Sequence, residues 1–140
     1  MSLVPLCRSI ISSIKTEITG GPNKGMKWAR ATGRRYRRGA FEPPRVAAIE
    51  RFILPGDCFW DIGAHRGYIT LLAARCVGSV GRVLSFEPHP LNIPYLDKHI
   101  RWNRLTNVQV FPIALSRHNS KQMFGGGIAN VPSRRRQVRG

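Results

Sequence analysis

Four residues near the middle of the chain have the types and spacing to hold a small charged molecule: Asp61, Gly63, Gly67 and Glu87. Asp61 follows the apolar start "CFW", and two glycines four positions apart come straight after it. Glycine there permits a sharp bend and lets a ligand approach with no Cβ in the way. The helix expected from Tyr68 onward adds free N–H groups at its first turn. Glu87 ends a second apolar run twenty residues beyond Gly67. An acid at that spacing is placed to accept hydrogen bonds from two ribose hydroxyls. A dinucleotide fingerprint would carry glycine where Asp61 stands, because a carboxylate repels a pyrophosphate and attracts a cation. The pattern favours an adenosine compound bearing a sulfonium and an ammonium group and no phosphate, which describes S-adenosylmethionine. No metal ligand set is expected.

The elements needed to position these residues are legible around them. A helix is expected from Pro43 or Pro44, with Val46, Ile49 and Ile53 at helical spacing and a stop at Pro55-Gly56. "DCFWDI" reads as a buried strand, Tyr68–Val77 as an almost wholly apolar helix, and "RVLSFE" as a second strand. A helical face follows between Pro90 and about Asn103, with Pro94 in its first turn or at its true start. "NVQVFPIAL" reads as a third strand. Strands alternating with helices imply an α/β fold, a Rossmann-like parallel sheet with crossover helices. In such sheets ligands bind outside the carboxyl ends of the strands, where Asp61 and Glu87 fall.

Within this reading Trp60, Cys58 and Cys76 are expected in the core, and His99 at the core edge or facing solvent. Residues 1–19 suggest a weakly amphipathic helix or an accessory tail. Three cysteines without paired spacing argue against a disulfide framework or a zinc site and fit a reducing, cytoplasmic setting. No apolar run has the length of a membrane span. The net charge of +16 on 140 residues attracts anionic partners and says nothing about fold. "RRYRR" sets an aromatic residue between arginines, a combination able to stack a base and contact phosphates, and "SRRRQVRG" could hold phosphate.

The segment from Cys58 to Ser116 also resembles the FkbM-type methyltransferases of the class I S-adenosylmethionine-dependent superfamily. The resemblance rests on Asp61–Thr70, Ser85–Pro90, Asn103–Val108 and Ala114-Leu115, with "GPNKGMKW" and "GAFEP" as a similar lead-in. It implies that Gly63, Ala64 and Gly67 line the methionine and ribose part of the cofactor. His65 stands beside them, where the family usually has Asn. It further implies that Glu87 binds the ribose hydroxyls, that Ile113 and Ala114 lie near the adenine, and that Glu42 stands near the pocket. The implied reaction is methyl transfer to a hydroxyl of a glycan or small natural product, with no catalytic base evident in the sequence.

The expected organisation is an accessory segment and basic loop over 1–42, the first half of a methyltransferase domain over 43–116, and a disordered basic tail over 117–140. The family fold has seven strands and three are read here, which suggests a fragment whose first sheet strand is an open edge capable of self-association. The alternative is a non-catalytic basic module that binds nucleic acid or a partner subunit.

Overall fold

The computed structural model describes residues 14–116, 122–124 and 127–129. Strands β3 (Cys58–Ile62), β4 (Arg82–Phe86) and β5 (Val108–Phe111) form a parallel sheet in the order β3-β4-β5. Ile62 pairs with Phe86 and Phe86 with Phe111, so the three strands end level. Helix α2 (Pro43–Phe52) precedes β3, α3 (Tyr68–Val77) joins β3 to β4, and α4 (Ile93–Trp102) joins β4 to β5. This is the α/β parallel-sheet architecture that the alternation of elements implies.

Helix α3 holds the molecule together. It packs against α2 on one side and against β3 and β4 on the other. That double contact explains a helix apolar on most sides, with Leu71, Ala73 and Val77 fully buried. Each of the buried leucines Leu71 and Leu72 stabilises the fold by about 2 kcal/mol through removal of apolar surface from water. Asn107 closes the far end of α3, its Nδ2 donating to the carbonyls of Ala74 (2.9 Å) and Gly78 (2.8 Å). These are the carbonyls a helix end leaves without an internal partner.

The N-terminal segment differs from expectation. Lys15–Glu17 is not helical but forms β1, paired antiparallel with β2 (Lys27–Ala29); residues 1–13 lie outside the described residues. The reason is tertiary. Asn103 clamps the main chain of Lys27 from both sides, accepting its N–H at 2.7 Å and donating to its carbonyl at 2.9 Å. His99 Nε2 accepts the N–H of Ala29 at 2.9 Å. Side chains of α4 thus satisfy the outer edge of β2 as a neighbouring strand would. Trp28 is fully buried between them and stacks on His99 with ring centroids 3.8 Å apart. A 3-10 turn (Arg30–Thr32) and a one-turn helix α1 (Arg34–Arg37) lead on to α2.

Three other expectations are corrected. Trp60 is 55% exposed, Cys58 is exposed, and His99 is fully buried. Strand alternation accounts for the first two. Asp61 faces the helices, so Cys58, Trp60 and Ile62 share register parity on the other face, where Trp60 meets Phe86 at 5.5 Å. The stretch read as disordered contains β6 (Gln122–Phe124) and β7 (Gly127–Ala129), an antiparallel pair; the remainder of 117–140 lies outside the described residues. No helix among the described residues is long and apolar enough to cross a membrane.

Candidate functional site

Because the strands end level, the segments leaving β3 and β4 start side by side. The N–H groups of Gly63 and Ala64 both donate to the carbonyl of Phe86, at 2.9 and 3.0 Å, folding the turn after β3 across the end of β4. Gly63 has φ 80°, and a Cβ built there would meet nothing within 4 Å. The bend therefore borders open space. Gly67, at φ 90°, has the opposite surroundings, since its Cβ would lie 2.5 Å from Leu96 Cδ1. One glycine keeps room for a ligand, while the other lets α3 approach α4.

Glu87 lies at the end of β4 and is only 4% exposed. Its Oε2 accepts the N–H of His65 at 2.6 Å, and its Oε1 accepts the N–H of His89 at 2.8 Å and Asn92 Nδ2 at 3.2 Å. A buried carboxylate needs such donors to offset its lost hydration. One side chain therefore ties the turn after β3 to the turn after β4. Asp61 is also buried, its Oδ2 accepting the Thr70 hydroxyl at 2.6 Å, with Ser85 Oγ 3.0 Å from Thr70 Oγ1. Burial pushes the Asp61 carboxyl above its ordinary range; the Thr70 bond and Arg45 oppose the shift and Glu87 adds to it. A carboxylate held in that state gains from any cation brought near it.

The lead-in segment forms the wall opposite. Tyr36, Phe41, Arg45 and Arg66 line a cleft shared with Asp61, Gly63, Ala64 and His65. The Tyr36 ring lies 4.6 Å from Phe41 and 6.3 Å from His65 in a near-parallel arrangement. His65 holds a left-handed backbone at φ 52°. Desolvation, with Arg66 close by, lowers the pKa of its imidazole, and Glu87 opposes the shift.

Of the residues singled out from the sequence, Asp61, Gly63, Ala64, His65 and Glu87 come together at the carboxyl end of the sheet, and Gly67 closes their turn. Ile113 and Ala114 are half-buried beyond the end of β5, the strand on the far side of β4 from Asp61. Glu42 forms an ion pair with Arg45 at 3.1 Å, with its backbone at φ 39°. Sequence reasoning gave no role to Thr70, Ser85 or Asn92, which hold the two acids. Ser85 carried a signal, two positions before Glu87 and so on the same face of its strand. Among the described residues no three His, Cys, Asp or Glu side chains gather as a metal site.

No protein-family model and no curated protein matches the chain. Solved structures resemble it in part. A transferase candidate from Pyrococcus horikoshii superposes with TM-score 0.51 and 17% identity, over 74% of this chain and 37% of its own. An rRNA-methylase candidate from Clostridium thermocellum gives TM-score 0.49 and 25% identity, over 51% of this chain and 39% of its own. For an S-adenosylmethionine-dependent O-methyltransferase from Thermotoga maritima the TM-score is 0.46 and the identity 23%, over 50% of this chain and 28% of its own. The chain therefore spans two fifths or less of the length of each of these three. What the likeness to the Pyrococcus protein establishes is architecture: the chain has a Rossmann-like α/β fold with a parallel sheet.

Proposed function

We propose that the carboxyl end of this sheet is a seat for S-adenosylmethionine and that the chain belongs to a methyltransferase of the FkbM type. The observation that carries the reading is the pairing of an open bend at Gly63 with two buried carboxylates, Asp61 and Glu87, on adjacent strands. The donor set fits the ligand. Among the described residues Oε2 of Glu87 has one protein partner, which leaves a lone pair for a ribose hydroxyl. Asp61 offers negative charge where a dinucleotide site would have a glycine, and suits a cationic ligand. Gly63, Ala64 and His65 supply the bend, Gly67 lets α3 follow it closely, and Ile113 and Ala114 would border the adenine.

The bound cofactor would supply an electrophilic methyl group. The chain's own contribution is positional: Glu87 fixes the two turns, and Tyr36 and Phe41 wall the cleft beside Asp61. Alignment of donor and acceptor is the main demand of such a displacement. The resemblance to FkbM-type enzymes favours a hydroxyl acceptor, and places a glycan or a small natural product among the candidates.

Calorimetry with S-adenosylhomocysteine tests the seat directly. Binding in the micromolar range is expected, and Glu87→Gln should weaken it at least ten-fold. A folded wild-type chain that gives no binding heat at millimolar ligand would overturn the reading.

A further inference from the structure

The cleft has a strongly basic approach that the proposed cofactor seat does not use. Between Lys24 and Arg45 the chain carries eight basic residues and a single acid, Glu42. That acid is already paired with Arg45. Arg34, Arg35 and Arg38 are exposed and Arg37 is half-buried, all in or next to the one turn of α1. No described ion pair involves any of the four. A flexible charge run would spread its guanidiniums apart, but this one is pinned. Tyr36, in the middle of the run, turns inward and packs against Phe41 at 4.6 Å and against Trp28 and Tyr68 at 5.7 Å. The sequence suggested Tyr36 as an exposed stacking ring. The structure makes it the anchor that holds the arginines at the rim of the cleft.

The cleft adds a second mark of an anionic guest. Arg66 lines it together with Arg45, and its buried Nε has no hydrogen-bond partner among the described residues. The Arg66 guanidinium lies over the Tyr95 ring at 5.0 Å, which orients it without using its donors. Arg45 and Arg66 thus give the lining of the cleft two guanidiniums against one carboxylate, Asp61.

We propose that α1 and the rim of this cleft are a docking surface for single-stranded nucleic acid. Phosphates would lie on Arg34, Arg35 and Arg38, and one base would lie against the mouth of the cleft, beside the half-buried rings of Tyr36 and Phe41. Repeated guanidiniums beside a ring-walled cleft match an alternation of phosphates and planar bases. Only an unpaired base can leave its stack to lie against these rings, which argues for a single strand over a duplex. The proposal rests on the cofactor-seat reading only for what the bound strand would be presented to; the binding itself does not depend on it.

The test uses the full chain without cofactor and a labelled 12-nucleotide oligomer of mixed sequence, as RNA and as DNA, read by fluorescence anisotropy. Micromolar affinity is expected near 50 mM salt, falling steeply as salt rises. The same sequence as a duplex should bind at least ten-fold more weakly. The double variant Arg34→Gln/Arg38→Gln should weaken single-strand binding about ten-fold and flatten the salt slope by about 1.4, or roughly 0.7 for each lost phosphate contact. A preference for RNA would mean that the 2′-hydroxyl is read, and equal affinity that phosphates and bases suffice; both support the surface. Equal binding of duplex, or displacement by a heparin oligosaccharide at matched charge as effective as by unlabelled RNA, would overturn it. So would an unaltered double variant with a wild-type melting curve. If that variant fails to fold, the wild-type comparison of single strand, duplex and heparin still decides. Nucleic-acid binding without S-adenosylhomocysteine binding would leave this surface standing and remove the cofactor seat.

Discussion

At the scale of single residues, two side chains make sharp predictions. Gly67 combines φ 90° with a Leu96 contact that a Cβ would bring to 2.5 Å. Gly67→Ala should therefore cost about 2–4 kcal/mol from backbone strain and overpacking together, read from urea unfolding. Gly63→Ala meets no neighbour, so its cost should be limited to strain of about 1 kcal/mol, while cofactor affinity falls. His99 makes a pH prediction. Its Nδ1–H faces the Arg66 carbonyl at 2.7 Å and its Nε2 accepts from Ala29, so both nitrogens are used in the neutral ring. Burial lowers its pKa to about 4. The unfolded chain, with a His pKa near 6.5, then binds the proton more readily than the folded one. Stability is complete above about pH 6.5 and is lost as pH falls toward 4, by up to about 3 kcal/mol. The raised Asp61 carboxyl acts in the opposite sense and offsets part of that loss. Urea midpoints between pH 7 and 4.5 should show the decline, and His99→Gln should flatten it. His65 completes this scale: its left-handed φ of 52° is one that Asn adopts more readily. His65→Asn should fold at least as stably as the wild type.

At the scale of elements, much of the order was legible because each helix and each strand of the parallel sheet carries its own pattern. Pro43 and Pro44 at the start of α2 and Pro55-Gly56 beyond its end marked boundaries, and α3 was readable from Tyr68 to Val77. The hairpin β1–β2 was not legible. Its strands are three residues each, "KTE" and "KWA", too short for any period. They exist because Asn103 and His99, 76 and 70 residues from their partners Lys27 and Ala29, complete the edge of β2. The site followed the same division. Positions fixed by strand ends, Asp61 and Glu87, were readable; the cleft wall was not, because Tyr36, Phe41 and Arg45 reach it through tertiary packing. The side taken by Trp60 could have been inferred, since a buried Asp61 facing the helices obliges its neighbour to face away. Trp28→Ala, in the buried hairpin contact, should cost about 3–5 kcal/mol, whereas Trp60→Ala should cost roughly 1 kcal/mol. Thermal unfolding of the two variants side by side checks the difference.

At the scale of the whole molecule, charge dominates. A net +16 is offset by only two ion pairs among the described residues, Lys27–Glu17 and Arg45–Glu42. Self-repulsion should therefore weaken the fold at low ionic strength. Raising salt from about 0.05 to 0.5 M should increase the thermal midpoint, because the Debye length shrinks from beyond 10 Å to a few ångströms. A midpoint that falls instead would mean that local attractions outweigh the repulsion. The three tryptophans give the means to follow such changes. Trp28 is fully enclosed against an imidazole, Trp60 is 55% exposed, and Trp102 is half-buried. Iodide added from outside should dim the emission of Trp60 while leaving Trp28 dark to it. Acid that charges His99 should quench Trp28 from within before the spectrum shifts to the red. The chain thus carries an optical gauge at each of two distant places, with no label attached.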